Sequence, residues 1–278
     1  MDNLGLFEPL ISHLKGSDVE IFAADLPGHG FSDHVSWPWN YSHSELPKYV
    51  FEILERMEYT KYHYVGHSFS GSSITPSLAV SSDEVQSYTI LDSHGVLTVR
   101  DDTYVKSQRE NLEASYKSRR VEKPKEYSRE ELKKRLQKSS IPPDFQDLWL
   151  ERGVRWNENK TRGHFSRDVR LNGNMFIPNF PSFLGRADHL LEQLNIPILR
   201  INGKESLSGQ PRPFGGVDPR IPNMKDFDDE GILRFSAEFS KKANVREIVI
   251  PGNHHFFLEQ AESVAKEIEA FWVSVEHS

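Results

Sequence analysis

A serine that attacks a carbonyl needs a backbone that exposes its hydroxyl, a histidine to take its proton, and a carboxylate to hold the histidine's tautomer. Ser68 stands in Tyr64-Val65-Gly66-His67-Ser68-Phe69-Ser70-Gly71, after a β-prone run and ahead of small residues able to open a helix. That junction reads as a nucleophile elbow, where the serine takes a strained backbone above the sheet edge and small neighbours let strand and helix approach. Gly66 fits. Ser70 departs, since the usual glycine comes one position late, at Gly71. The candidate base is His254, in Pro251-Gly252-Asn253-His254-His255 directly after the last strand of the pattern, and His255 competes with it for the role. An aspartate or glutamate must then complete the set.

The elements that would position these groups follow from periodicity. Leu6, Phe7, Leu10, Ile11 and Leu14 predict an opening amphipathic helix, and Leu46 to Met57 a second, capped by Ser44. Strands are predicted at 19–24, 62–65, 87–91, 196–201 and 245–250, separated by helical stretches, which implies one parallel sheet. Pro76 should kink the helix after the elbow. Residues 100–138 are crowded with Arg, Lys and Glu at helical spacing, with a capping box at Ser128-Arg129-Glu130-Glu131. Pro142-Pro143 ends that helix, Asp144 can cap the next, and Met175 to Leu184 is an apolar, proline-broken segment able to line a pocket or pack in the core. The stretch 206–226, rich in Gly and Pro, reads as a long loop. The expected division is a core of residues 1–95 and 186–278, with a helical cap over 96–185 inserted after the strand ending at Asp92.

Composition narrows the class. A net charge of −7 argues against nucleic acid or an anionic membrane surface as partner. No apolar run of 18 residues exists, and Met1-Asp2-Asn3-Leu4 has neither the basic nor the apolar region of a signal peptide. Cysteine is absent, which removes disulfides, thiolate metal sites and thiol nucleophiles. The expectation is an intracellular, cytoplasmic protein acting on a small molecule, with peroxisomal or vesicle association and oligomeric state left open.

With these residues in place, the sequence resembles the α/β-hydrolase superfamily, and more closely its serine hydrolase-like, or kraken-like, group. The carriers are Asp2-Asn3, Asp25-x-Pro-Gly-His-Gly-x-Ser, Gly-His-Ser-Phe, Ile-Leu-Asp ending at Asp92, Leu150-Glu151-Arg152-Gly153, Arg167-Asp168-x-Arg170-Leu171 and Pro251-Gly-Asn-His254. The resemblance implies a lid over the active site, Ser68 as nucleophile, His254 as base, and no metal or organic cofactor. It also ranks the acids: Glu205, after strand 196–201, occupies the usual position; Asp92 occupies one seen in some members; Asp218 comes third. The N–H of Phe69 would supply half of an oxyanion hole.

In that group Asp-Asn follows a strand and a His-Gly-Trp turn that donates the other half. Here the chain starts at Met1-Asp2-Asn3. The expectation is therefore a core sheet lacking its first strands, in a shortened chain or in a weakened catalyst, since one lost donor removes ~3–4 kcal/mol of transition-state stabilisation. The expected reaction is ester-like acyl transfer to water. The alternative is a non-catalytic protein that keeps the fold for binding or interaction, which the start of the chain and Ser70 both favour.

Overall fold

The computed structural model describes residues 2–14, 19–36, 41, 45–79, 84–96, 100–118, 124–137, 139–171, 187–206 and 229–277. Ser44, Met175 to Leu184, Asp218 and nearly all of the 206–226 stretch lie outside them. The chain opens on a short 3-10 turn, Leu4–Phe7, whose first amides are capped by Asn3, and continues into α1, Glu8–His13. Then come α2 (Leu46–Arg56), β1 (Tyr62–His67), α3 (Phe69–Ser73), α4 (Thr75–Leu78) and β2 (Val85–Leu91). The break between α3 and α4 falls at Ile74, with Pro76 in the first turn of α4, where its missing N–H has no helical carbonyl to serve.

Between β2 and the next strand of the main sheet stand α5 (Asp101–Ser118), β3 (Tyr127–Ser128), α6 (Arg129–Leu136), α7 (Gln146–Gly153), β4 (Val154–Trp156), β5 (Arg162–Phe165) and α8 (Ala187–Gln193). The capping box closes as expected, Ser128 and Glu131 bonding each other's backbone N–H. Asp144 does not cap α7. It sits inside a 3-10 turn, Pro143–Phe145, and Phe145 holds the cap position without a side-chain bond. Beside its helices the described part of the region also holds β3, β5 and β4, which form an antiparallel sheet in that order.

The chain closes with β6 (Ile198–Gly203), α9 (Asp229–Ser240), β7 (Val245–Ile250), α10 (Phe256–Glu259) and α11 (Ala261–Glu276). No helix among the described residues is long and apolar enough to cross a membrane.

The main sheet has the order β1-β2-β6-β7, all parallel. β6 is buried throughout and β2 nearly so, as expected of strands covered on both faces. One apolar cluster joins Leu91, Leu199 and Ile201 to Val264, Ile268 and Trp272 of α11, and runs on to Leu132, Trp149 and Leu150. The other joins Ile74, Tyr88, Ile90 and Ile198 to Phe235 and Phe239 of α9. The sheet is thus sandwiched between helices.

The expected strand at 19–24 does not form. Residues 20–24 are exposed and none of 19–26 belongs to a sheet. The physical reason is a lack of partners: a cavity of about 560 Å³ is lined both by Val19 to Leu26 and by Tyr62 to Val65 of β1, so no described strand stands between them. A strand gains its stability from cross-strand pairing, and an unpaired β-prone run has none.

Candidate active site

β1 delivers Ser68 and α3 leads away from it. Ser68 takes φ +53° and ψ −115°, a region that non-glycine residues rarely enter. Its N–H donates to Leu91 O at 2.9 Å, and its carbonyl accepts from Ser72 N at 3.1 Å, so the turn is fixed from both ends. A Cβ on Gly66 would come within 3.0 Å of Gly71 N, and one on Gly71 within 3.1 Å of Gly66 O. The late glycine is therefore the one that faces the strand. Ser70 points its hydroxyl back into its own turn, accepting from His67 N at 3.0 Å and donating to His67 O at 2.9 Å.

The loop after β7 carries His254. Its Nε2 lies 2.8 Å from Ser68 Oγ, and its Nδ1 lies 2.5 Å from Asp92 Oδ2. Three residues separated by 24 and 162 positions thus form one hydrogen-bonded line across the C-terminal ends of β1, β2 and β7. Asp92 is buried at φ +49°, and its other oxygen accepts from Gly203 N at 3.0 Å. Glu205, ranked first from the sequence, is not behind the histidine. Its carboxylate accepts from Gly252 N, and its own N–H donates to Gly252 O, which ties down the base of the histidine loop. The histidine's partner is Asp92, and Asp218 lies outside the described residues. Phe69 begins α3, so its N–H belongs to the turn from which helix amides point outward.

His255, the alternative base, turns away from Ser68. It bonds Ser140 Oγ through Nδ1 at 2.8 Å and Asp2 Oδ2 through Nε2 at 3.0 Å. His67 stands beside both histidines, its ring 4.6 Å from that of His254 and its Nε2 2.8 Å from His254 O. Burial, reinforced by the neighbouring His254, lowers His67 to about 4, so it is neutral at pH 7 and donates from Nε2 to that carbonyl. Asp2, His67 and His255 bring three possible ligand atoms within 4.8 Å of one another.

Sequence reasoning quoted His67 within a motif without giving it a role, and it passed over Arg200. The signal for Arg200 was a cation inside an otherwise apolar strand. Its buried guanidinium donates to Ser93 O at 3.1 Å and Ser236 Oγ at 2.7 Å, which pins the backbone next to Asp92. The motifs from the inserted region also have a place. Arg152 forks onto Asp25 Oδ2 at 2.7 and 3.0 Å, while Asp25 also accepts from Leu4 N and Phe31 N. Asp168 accepts from Tyr41 and Arg170, and its N–H donates to Gly28 O at 2.9 Å.

The model of the alpha/beta hydrolase fold family matches residues 1–207. A serine hydrolase-like protein of Danio rerio is 27% identical over 276 residues, spanning 97% of this chain and 78% of that protein. A serine hydrolase-like protein of Dictyostelium discoideum is 22% identical, over 98% of this chain and 72% of its own length. Among solved structures, a hypothetical protein from Pseudomonas aeruginosa PAO1 aligns with a TM-score of 0.77 at 18% identity, covering 98% of this chain and 88% of that one. With a sandwiched parallel sheet, a strained serine between β1 and α3, and a family match over most of its length, the chain belongs to the α/β-hydrolase fold family.

Proposed function

We propose that this protein is a serine hydrolase acting on an ester-like small molecule. The observation that carries the reading is the unbroken line Ser68 Oγ, His254 Nε2, His254 Nδ1, Asp92 Oδ2, at 2.8 and 2.5 Å. In this mechanism Ser68 attacks the carbonyl carbon as His254 takes its proton. Asp92 accepts from Nδ1, fixing the tautomer that leaves Nε2 free to act, and stabilises the imidazolium that forms. The tetrahedral oxyanion rests on the N–H of Phe69 and on the partial positive end of α3. His254 then protonates the leaving alcohol. Water, activated by the same histidine, releases the acyl group and regenerates Ser68.

Residues 96–185 serve as a lid in this proposal. Two contacts support this reading: Ser140 reaches His255 beside the base, and Asn3 donates to Trp149 O. The cavity bordered by Ser68 and Phe69 has apolar walls that include Leu4, Phe7, Val65 and Leu26, which suits an apolar acyl group.

The test is labelling by a fluorophosphonate probe. Wild-type protein should be labelled and Ser68→Ala should not. A well-folded wild type that resists the probe would favour the alternative, a binding or interaction protein that keeps the fold without turnover.

A further inference from the structure

We propose that Asp2, His67 and His255 form a structural site for one divalent transition-metal ion of the zinc class, placed behind the catalytic histidine. Asp2 Oδ2 lies 3.6 Å from His67 Nδ1 and 3.0 Å from His255 Nε2, and all three donor atoms fall within 4.8 Å of one another. Ligands at 2.0–2.1 Å from a tetrahedral ion stand about 3.4 Å apart, so only a small adjustment brings the three onto one centre. The His67 and His255 side chains are 2% and 5% exposed, whereas Asp2 is 20% exposed and leaves a route for the ion and for a fourth, water ligand.

The outer hydrogen bonds give an independent reason. A metal-ligating histidine commonly uses its other ring nitrogen to donate to a carbonyl or polar oxygen, which turns the free lone pair toward the ion. Both histidines are oriented this way. His67 Nε2 meets His254 O, which can only accept, so the proton sits on Nε2 and Nδ1 is the nitrogen that faces Asp2. His255 Nδ1 meets Ser140 Oγ, so Nε2 can turn its lone pair to the same point. Asp2 also attracts the half-buried Arg167. The ion thus binds against resident positive charge, and two imidazoles select a zinc-class metal over magnesium or calcium.

The consequence is a clamp. The ligands come from the first residues of the chain, the strand that ends in the elbow and the loop that carries His254, and Ser140 adds the inserted region. One ion would hold the serine and histidine loops in a fixed relation. It takes no part in the acyl-transfer steps.

The experiment titrates chelator-stripped full-length protein with Co²⁺, following the visible absorption of the ion, and with Zn²⁺, following thermal unfolding. The expected result is one equivalent bound, an intense tetrahedral-type spectrum, and a rise in Tm that excess EDTA reverses. Asp2→Asn, which keeps the shape and removes the ligand charge, should abolish the spectrum. Ser140→Ala should weaken Co²⁺ binding about 10–100-fold by releasing His255, and it carries the test if Asp2→Asn does not fold. No binding by the folded wild type would overturn the site and leave a hydrogen-bonded histidine–aspartate cluster in its place. So would binding that Asp2→Asn and Ser140→Ala leave unchanged, since that ion would lie elsewhere. These readouts are independent of hydrolysis and stand or fall apart from the assignment of Ser68.

Discussion

The two flanks of the main sheet solve different problems. On the β2-β6-β7 flank the parallel pairing is continuous and β6 is buried along its whole length. On the other flank β1 pairs, among the described residues, only with β2, and its outer edge looks into the cavity that it shares with residues 19–26. The hydrogen-bonded line of Ser68, His254 and Asp92 is strung across the paired flank. Ser68 N donates to Leu91 O, Asp92 N to Ile201 O at 2.8 Å, and Gly203 N to Asp92 Oδ1. Ser68 is therefore aligned from the β2 side even though it ends the edge strand. Alignment comes from the closed flank; the open flank contributes space next to Ser68.

The largest expected effect breaks the closed flank at its centre. Asp92→Asn should keep the fold and lower kcat by about 10⁴-fold, because an amide at that position favours the wrong histidine tautomer. Glu205→Gln should do little, since the exposed amide oxygen can still accept from Gly252 N and one such bond is worth about 1 kcal/mol. Steady-state kinetics on an activated ester distinguishes them. A larger loss for Glu205→Gln would return the acid to its sequence-ranked position.

Next in size is the tie between the inserted region and the loop beside the open flank. Asp25 is 1% exposed, and Arg152→Ala would leave its charge buried without the guanidinium, a loss of about 3–5 kcal/mol in chemical denaturation. Burial alone would raise the Asp25 carboxyl, but donors from Leu4 and Phe31, followed by Arg152, hold it below the ordinary value. A depressed folded-state pKa stabilises the native protein above the unfolded value of about 3.9, and that contribution is lost as pH falls further toward the folded value. Arg152→Ala should therefore begin acid unfolding at a higher pH than wild type. An unchanged acid profile would show that the two backbone donors suffice.

A paired substitution compares the flanks directly. Ile201 on β6 is fully buried, so Ile201→Ala should destabilise by about 2–5 kcal/mol. Phe22, larger but 46% exposed on the run that failed to become a strand, should lose no more than about 0.5 kcal/mol on change to alanine. Comparable losses would mean that residues 19–24 are packed in solution.

How much of this was legible in the sequence follows the same division. The strands of the β2-β6-β7 flank read clearly, because they are dense in β-branched and aliphatic residues; 245–250, although an edge strand with only Ile250 buried, was placed to the residue. Ser68 and His254 were singled out because each stands at a strand end near glycine, and the structure brings the two side chains together. The acid was misranked because Asp92 and Glu205 both follow strands, and only the path of the histidine loop decides between them. Residues 19–24 misled for the opposite reason: β propensity describes what a segment would do beside a partner, and no described strand lies beside them. Arg152 and Arg170 were visible as motifs, but their acceptors, Asp25 and Asp168, are tertiary facts.

The smallest expected effect concerns the elbow itself. Read from the sequence, Ser70 looks like a defect, a side chain where close strand–helix approach calls for glycine. In the structure that approach is made by Gly66 and Gly71, and the Ser70 hydroxyl is absorbed by the backbone of His67. Ser70→Gly removes those two bonds and adds backbone freedom, each worth about 1 kcal/mol or less. The expected outcome is a slight drop in Tm with kcat unchanged to within about twofold, which corresponds to well under 1 kcal/mol in the barrier. Gly71→Ala, by contrast, sets a methyl 3.1 Å from Gly66 O, 3.2 Å from Ser93 Cβ and 3.3 Å from Ile90 Cγ2, and should lose about 1–3 kcal/mol of stability. If Ser70→Gly instead raised kcat tenfold or more, the serine would be distorting the elbow after all, and the strain at Ser68 would have to be assigned to its neighbour rather than to the turn that exposes it.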